Sequence, residues 1–228
     1  MNILRKSLTI AVLTIAAGFA SQARAEIFLS ATDGVNTGAA NDSGSPGTAS
    51  YSGTIGNFTA SIDIGAGFPA IGAASDPILD LTSLDLTTGT SGGTLTVSLS
   101  ETNFTTTAAA KEFLSSITGI YSNSSAQMTT YYDTANTQFG TGTLLSSGLS
   151  DNQASLVLLP PITGPYSLTE ILTITAGSNS LTSIDAAIVD APEPASLSLL
   201  GAALLALGMF GWRRTAPTRS AAVSPAGV

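Results

Sequence analysis

The chain of 228 residues has no cysteine and no histidine, and both absences remove whole classes of chemistry. A Ser–His–Asp triad, a Cys–His dyad, a thiolate zinc site and a histidine facial triad are all impossible. Disulfides cannot hold the fold, so stability must come from a packed core, which a chain of this length can build. A Ser–Lys dyad would have to use Lys111, and its neighbour Glu112 favours a solvated lysine instead.

Positive charge is also scarce, and it lies almost entirely at the two ends. Between Glu26 and Pro194, Lys111 is the only basic residue against fifteen carboxylates, a formal charge of −14. A surface of that sign repels nucleic acid and anionic lipid, and it suits cations, neutral glycans and solubility outside the cell. A glycosidase with two carboxylates remains chemically possible, but the interval has no tryptophan for sugar stacking. We therefore expect a protein that is not an enzyme.

The N-terminus has the three parts of a secretory signal peptide. Arg5 and Lys6 form a basic start, an apolar stretch follows, and Ala23-Arg24-Ala25 is a small-x-small cleavage site. We predict a signal peptide over residues 1–25 with cleavage after Ala25. The alternative, a retained membrane helix, is disfavoured because the apolar stretch is short for a bilayer.

Residues 26–190 have the composition and periodicity of a β protein. Leu95, Val97 and Leu99 alternate with Thr and Ser, as in a strand with one buried face. The sequence predicts an all-β fold, a single antiparallel β-sandwich of eight to ten short strands. We expect a loop over 32–50, adjacent antiparallel strands at 79–86 and 95–99, and a strand at 113–121 in preference to a helical turn over 107–115. Further strands are expected at 26–31, 58–64, 128–132, 138–145, 154–159, 166–176 and 181–189.

Calcium is the ligand hypothesis that these carboxylates favour. Asp33, Asn36 and Asp42 lie in one Gly-rich stretch, and Asp76, Asp80 and Asp85 lie around a strand start. Hard oxygen ligands on loops suit Ca²⁺, although neither group has the spacing of an EF-hand loop. The alternative is that these carboxylates are solvated and bind nothing. We expect no other cofactor.

The C-terminal residues form a membrane-directed segment. Pro192-Glu193-Pro194 (191–194 with Ala191) precedes an uncharged apolar run over 195–212, which as a helix is roughly 27 Å long. That is close to the minimum for a transmembrane helix. Arg213 and Arg214 follow, in a tail of residues 213–228, and mark the cytoplasmic side.

This ordered combination resembles the PEP-CTERM sorting signal of Gram-negative bacteria. The resemblance implies recognition by an exosortase-type membrane protease, transient anchoring in the inner membrane, and delivery to the cell surface or to an extracellular matrix associated with exopolysaccharide and biofilm. Processing would involve Pro192, Glu193, Pro194, Arg213 and Arg214. Two alternatives stay open: an anchor that is never cut, and a membrane-anchored, calcium-assisted carbohydrate-binding or adhesive module.

Overall fold

The computed structural model describes residues 25–105, 110–191 and 201–205. Its strands are all antiparallel and form one connected sheet, which confirms the predicted all-β class. They are β1 (Glu26–Thr32), β2 (Thr37–Asn41), β3 (Thr48–Ile55), β4 (Phe58–Ala66), β5 (Ile78–Thr88), β6 (Gly93–Phe104), β7 (Lys111–Asp133), β8 (Thr143–Leu149), β9 (Gln153–Leu159) and β10 (Tyr166–Asp190).

Helix is confined, in the part of the chain that the structure describes, to residues 201–205. These described residues include no helix with the length and apolarity that a membrane crossing requires. Most of the predicted membrane segment, 195–212, lies outside them.

Two very long strands organise the sheet into two layers. β7 and β10 are 23 and 25 residues long and pair along most of their length, with a register shift between Ala176 and Leu181. At that bend β10 changes its pairing partner: its first part pairs with β6 and its second part pairs with β5. Asn123 and Asn179 take left-handed backbone conformations there, which asparagine tolerates better than most residues.

The bend places six strand segments in each layer. Layer 1 runs β2-β1-β6, then the first part of β10, the second part of β7, and β8. Layer 2 runs β3-β4-β5, then the second part of β10, the first part of β7, and β9. The predicted sandwich is thus one sheet folded over on itself, and its two longest strands belong to both layers.

Side chains that meet across the gap show that the layers face each other. The hydroxyl of Ser115 in layer 2 lies 2.8 Å from that of Thr130 in layer 1. A Cβ on Gly65 of β4 would overlap the side chain of Leu99 on β6. Inward positions alternate along each strand, as in Leu95, Val97 and Leu99, and together form one hydrophobic core.

Several predicted details are wrong. The expected loop over 32–50 contains β2 and the start of β3, because residues 37–41 pair with β1 and residue 48 onward with β4. The strands at 79–86 and 95–99 are not neighbours, since β10 lies between them. The strand at 113–121 is confirmed as part of β7, and residues 128–132 do pair with the start of β8.

Candidate functional site

The site that the sequence singles out is the junction between the last strand and the C-terminal segment. β10 ends at Asp190, whose backbone N–H donates to the carbonyl of Pro77 at 3.0 Å. The N–H of Ala191 still donates to the carbonyl of Glu112 at 2.7 Å. The backbone is therefore hydrogen-bonded to the folded domain up to the residue before Pro192.

A buried ion pair between Lys111 and Asp190 stabilises this junction. The Lys111 ammonium also donates to the carbonyl of Ser75 at 2.6 Å, and both charged side chains are buried. Burial raises the pKa of the Asp190 carboxyl, and the ammonium beside it opposes that rise. This is the only ion pair among the described residues.

The expectation of a solvated Lys111 is wrong, because the side chain is 8% exposed. The sequence does carry a signal for burial. Lys111 shares the inward parity of Phe113, Ser115 and Ile117 on β7, and a lone cation in a chain of such acidity is well placed to neutralise a carboxylate.

The predicted processing residues Pro192, Glu193, Pro194, Arg213 and Arg214 lie outside the described residues, as does Ala23 of the predicted signal-peptide cleavage site. Ala25, the residue before the predicted cut, is described and is 1% exposed. β1 begins directly after it, at Glu26. The strand therefore starts at the residue that the cleavage prediction makes the first of the exported protein.

Of the calcium candidates, Asp33 and Asn36 contact each other, since the Asn36 side-chain amide donates to Asp33 Oδ2 at 3.0 Å, but Asp42 lies apart from them. Asp33 shapes the β1–β2 turn, where its Oδ1 accepts from the N–H groups of Val35 and Asn36 at 2.9 and 2.6 Å. Those bonds hold the pKa of Asp33 below its usual range. Asp42 lies beyond the other end of β2, five strand residues away, or roughly 16 Å.

The second acidic group is spread along a strand. Asp76 precedes β5, whereas Asp80 and Asp85 lie within it. Asp80 helps to line an open depression of about 90 Å³ on the outer face of layer 2, together with Asp185 and hydroxyl groups of β7. The described residues contain no group of three or more His, Cys, Asp or Glu side chains that could hold a metal ion.

Sequence reasoning missed two carboxylates in the interior. Glu101 and Glu170 lie on the inward faces of β6 and β10, both are 0% exposed, and their oxygens have no hydrogen-bond partner of normal geometry. Burial raises the pKa of Glu101 to about 9 and that of Glu170 well above its usual range. The signal was present, because each glutamate occupies an inward position in an alternating strand.

The described domain is thus an all-β unit that ends one residue before the Pro-Glu-Pro segment. The family model for the PEP-CTERM protein-sorting motif matches residues 190–214, starting at the last residue of β10. The chain therefore carries a PEP-CTERM sorting motif, the signal of exported, membrane-transiting proteins that an exosortase processes.

Other comparisons say less. A comparison with curated proteins gives no match. Among solved structures, TmCBM61 in complex with beta-1,4-galactotriose is similar over 61% of this chain and 92% of that chain, with 9% sequence identity and a TM-score of 0.29. At that level of overlap, the likeness carries no argument about what this chain binds.

Proposed function

We propose that the protein is a non-enzymatic surface or extracellular-matrix protein, exported and then released or transferred by an exosortase that acts at its C-terminal motif. The folded domain is the cargo, and residues 190–214 are its address. Its final location is the cell envelope or an extracellular matrix associated with exopolysaccharide and biofilm. Anchoring in the inner membrane is transient, with the domain outside.

One observation carries this proposal: the matched motif begins where the last hydrogen-bonded strand ends. Only three residues, Pro192 to Pro194, separate Ala191 from the apolar run, and they span at most about 11 Å. Pro192 and Pro194 have no N–H group to donate to a strand ladder. Cleavage there leaves intact the backbone hydrogen bonds that hold β10 and Ala191 to the domain.

The acidity of the domain supports the proposed destination. A formal charge of −14 between Glu26 and Pro194 keeps the released domain soluble and away from anionic lipid and nucleic acid. Neutral polysaccharide is not repelled by such a surface. The outward positions of β10 also carry hydroxyl groups, such as those of the exposed Thr173 and Thr175.

The test is the mature C-terminus, measured by mass spectrometry in membrane and culture-supernatant fractions. The wild type is expected in the supernatant without Arg213 and Arg214. Replacing Pro192, Glu193 and Pro194 by alanine should leave full-length protein in the membrane fraction. A matched triple-alanine control at Thr218, Arg219 and Ser220, outside the matched residues, should be processed like the wild type.

Two results would contradict the proposal. One is extracellular protein that retains Arg213 and Arg214. The other is an unchanged distribution after the motif is replaced.

A second candidate is a membrane-anchored, calcium-assisted carbohydrate-binding or adhesive module. The observation that favours it is the open depression on layer 2, where Asp80 and Asp185 lie beside the Ser116 and Thr118 hydroxyls. Glycan-array binding that is lost in Asp185→Asn, without turnover of the glycan, would support it. Binding that persists in that variant would place the contact elsewhere and remove this reason for the second candidate.

A further inference from the structure

Glu101 is the most unusual side chain of the described domain. It is fully buried on the inward face of β6, and neither carboxylate oxygen has a hydrogen-bond partner of normal geometry. The N–H of Phe68 lies close enough to favour the ionised form, but it does not offset the cost of burial. A buried carboxylate is normally either paired with a cation or kept neutral, because an isolated buried charge costs several kcal/mol.

The backbone at Gly67 packs directly against the Glu101 carboxylate. A Cβ on Gly67 would overlap the Glu101 carboxylate, so only glycine lets the chain approach it this closely. Gly67 is held in place by its N–H, which donates to the carbonyl of Gly47 at 2.9 Å. The N–H of Gly47 in turn points to the carboxylate of Asp42, at 3.4 Å, a long and weak bond.

Gly47 therefore links Asp42 to Gly67, the residue that packs against Glu101. Asp42 is also buried, at 9% exposure. Asn41 pairs with Phe28 of β1, and the preceding residue of β1, Ile27, pairs with Glu101, so Asp42 and Glu101 lie two strands apart in layer 1. The charge of Asp42 contributes to the raised pKa of Glu101. Two buried carboxylates thus face one region, between the loop over 42–47 and the loop that follows β4.

No basic side chain of the described residues neutralises this region. Lys111 is the only basic residue within the described ranges 25–105, 110–191 and 201–205, and it is bound to Asp190 and to the Ser75 carbonyl. The Tyr166 hydroxyl also lacks a hydrogen-bond partner, and the charge of Glu101 is one of the smaller causes that raise its pKa. The site therefore has two carboxylates, with the N–H of Phe68 near Glu101 and that of Gly47 near Asp42, and no basic side chain among the described residues.

We propose that Asp42 and Glu101 bind a Ca²⁺ ion between these two loops, tying layer 1 to the loop after β4. The ligands are two carboxylates, and backbone carbonyl groups and water complete the shell, a mixture typical of Ca²⁺. Mg²⁺ fits less well, because it requires a nearly ideal octahedron and gives up its water reluctantly. The inference is independent of the sorting motif.

This site differs from the one expected from sequence. Asp42 takes part, but Asp33 and Asn36 are too far away and are engaged in their own turn. Glu101 is 59 residues from Asp42 along the chain, and the two come near each other because β1 pairs with both β2 and β6 in layer 1.

The test is thermal unfolding of the full chain in detergent at pH 7.5, with 10 mM CaCl₂, 10 mM MgCl₂ or NaCl of equal ionic strength. An extracellular-type site with a dissociation constant of about 10⁻⁴–10⁻³ M should raise the wild-type Tm by about 3–10 °C in CaCl₂. MgCl₂ should give less than half of that rise, and NaCl less still.

The variant Glu101→Gln keeps the side-chain shape and removes the charge, so the calcium-specific rise should disappear. Asp85→Asn is the matched control, because it removes an exposed carboxylate from the outer face of layer 2 and should keep the full rise. If Glu101→Gln does not fold, Asp42→Asn serves in its place. Terbium luminescence excited through tyrosine then gives a readout that does not depend on stability.

The proposal is overturned by any of three results. One is a Tm rise equal in CaCl₂ and MgCl₂, which would indicate general screening of an acidic domain. Another is a calcium response that Glu101→Gln and Asp85→Asn share. The third is an absent calcium response in the wild type; a Glu101→Gln protein more stable than the wild type would then show that Glu101 is a buried neutral acid.

Discussion

At the scale of single residues, the interior of this domain is unusual in its treatment of charge. One ion pair, Lys111–Asp190, is fully compensated and sits where the chain leaves the fold. Glu170 has no such partner: it lies in the core of layer 1, opposite Leu99 on β6 and Thr130 on β7. Desolvation, with a smaller contribution from the charge of Asp80, raises its pKa well above the ordinary value.

The burial of Glu170 predicts that the free energy of unfolding falls as pH rises. Because the folded-state pKa of Glu170 is above the unfolded one, its contribution is fully present below about pH 4.5 and is lost as pH rises towards the folded-state pKa. In that window the free energy of unfolding should fall by about 1.4 kcal/mol per pH unit from this group alone. Glu170→Gln should remove that component, so the wild type and the variant should diverge between pH 5 and pH 8.

Urea unfolding at several pH values, in the presence of EDTA, measures this difference. The exposed Asp85→Asn variant is the control and should follow the wild type. A difference between wild type and Glu170→Gln that does not change with pH would mean that Glu170 is ionised in the folded protein.

At the scale of elements, the fold depends on the bends of β7 and β10, where the sheet passes from one layer to the other. The β5–β6 turn packs against the bend of β10: the N–H of Asn179 donates to the carbonyl of Gly89 at 2.6 Å. The Thr88 hydroxyl donates to the carbonyl of Gly177 at 2.6 Å. The turn therefore holds the point at which β10 changes neighbours.

Two glycines of this turn give a matched test. A Cβ on Gly92 would overlap the backbone of Ala176 and Gly177, which cannot move without disturbing the bend. A Cβ on Gly89 would meet nothing within 4 Å. Gly92→Ala should cost about 1–3 kcal/mol of unfolding free energy, and Gly89→Ala should change it by no more than about 0.5 kcal/mol.

Chemical denaturation of both variants at one pH checks this expectation. Equal stabilities would show that the turn can move away from β10, and that the contact at the bend does not hold the layers in place.

At the scale of the whole molecule, the domain is strongly acidic, and repulsion among its carboxylates opposes folding. Fourteen carboxylates and a single lysine lie between Glu26 and Ala191. Their repulsion reaches across the domain at 10 mM salt, where the screening length is about 30 Å, and much less far at 150 mM, where it is about 8 Å. Raising NaCl from 10 to 150 mM should therefore raise the Tm.

The Glu101→Gln variant should show the same rise in NaCl, because general screening does not require the proposed calcium site. A Tm that falls over this range of NaCl would mean that attractive pairs, and not repulsion, dominate the electrostatics of the fold.

Much of the fold follows from local patterns in the chain. Alternation in Leu95–Leu99 places one face inward whatever the strand pairs with, since the side-chain period of a strand is two residues. Strand partners are different, because pairing joins residues far apart in sequence. Residues 79–86 and 95–99 are joined by a short Gly-rich turn, yet β10, some 80 residues later, lies between them.

The site was predictable only in part for the same reason. The residues of the sorting segment are consecutive, so their order alone carries the resemblance, and the family match over 190–214 agrees with it. The calcium candidates were chosen because they are close in sequence, whereas Asp42 and Glu101 are brought near each other by the pairing of β1 with both β2 and β6. Lys111 was misjudged because its partner, Asp190, is 79 residues away.

By itself, the sequence determined the all-β class, the inward faces of the strands and the C-terminal sorting motif, since each is written in neighbouring residues. Only the tertiary structure decided which strands pair, that β7 and β10 bend through both layers, and which carboxylates are buried together. Those outcomes depend on contacts between distant segments, whose energies come from burying shared surface and cannot be assigned to either segment alone.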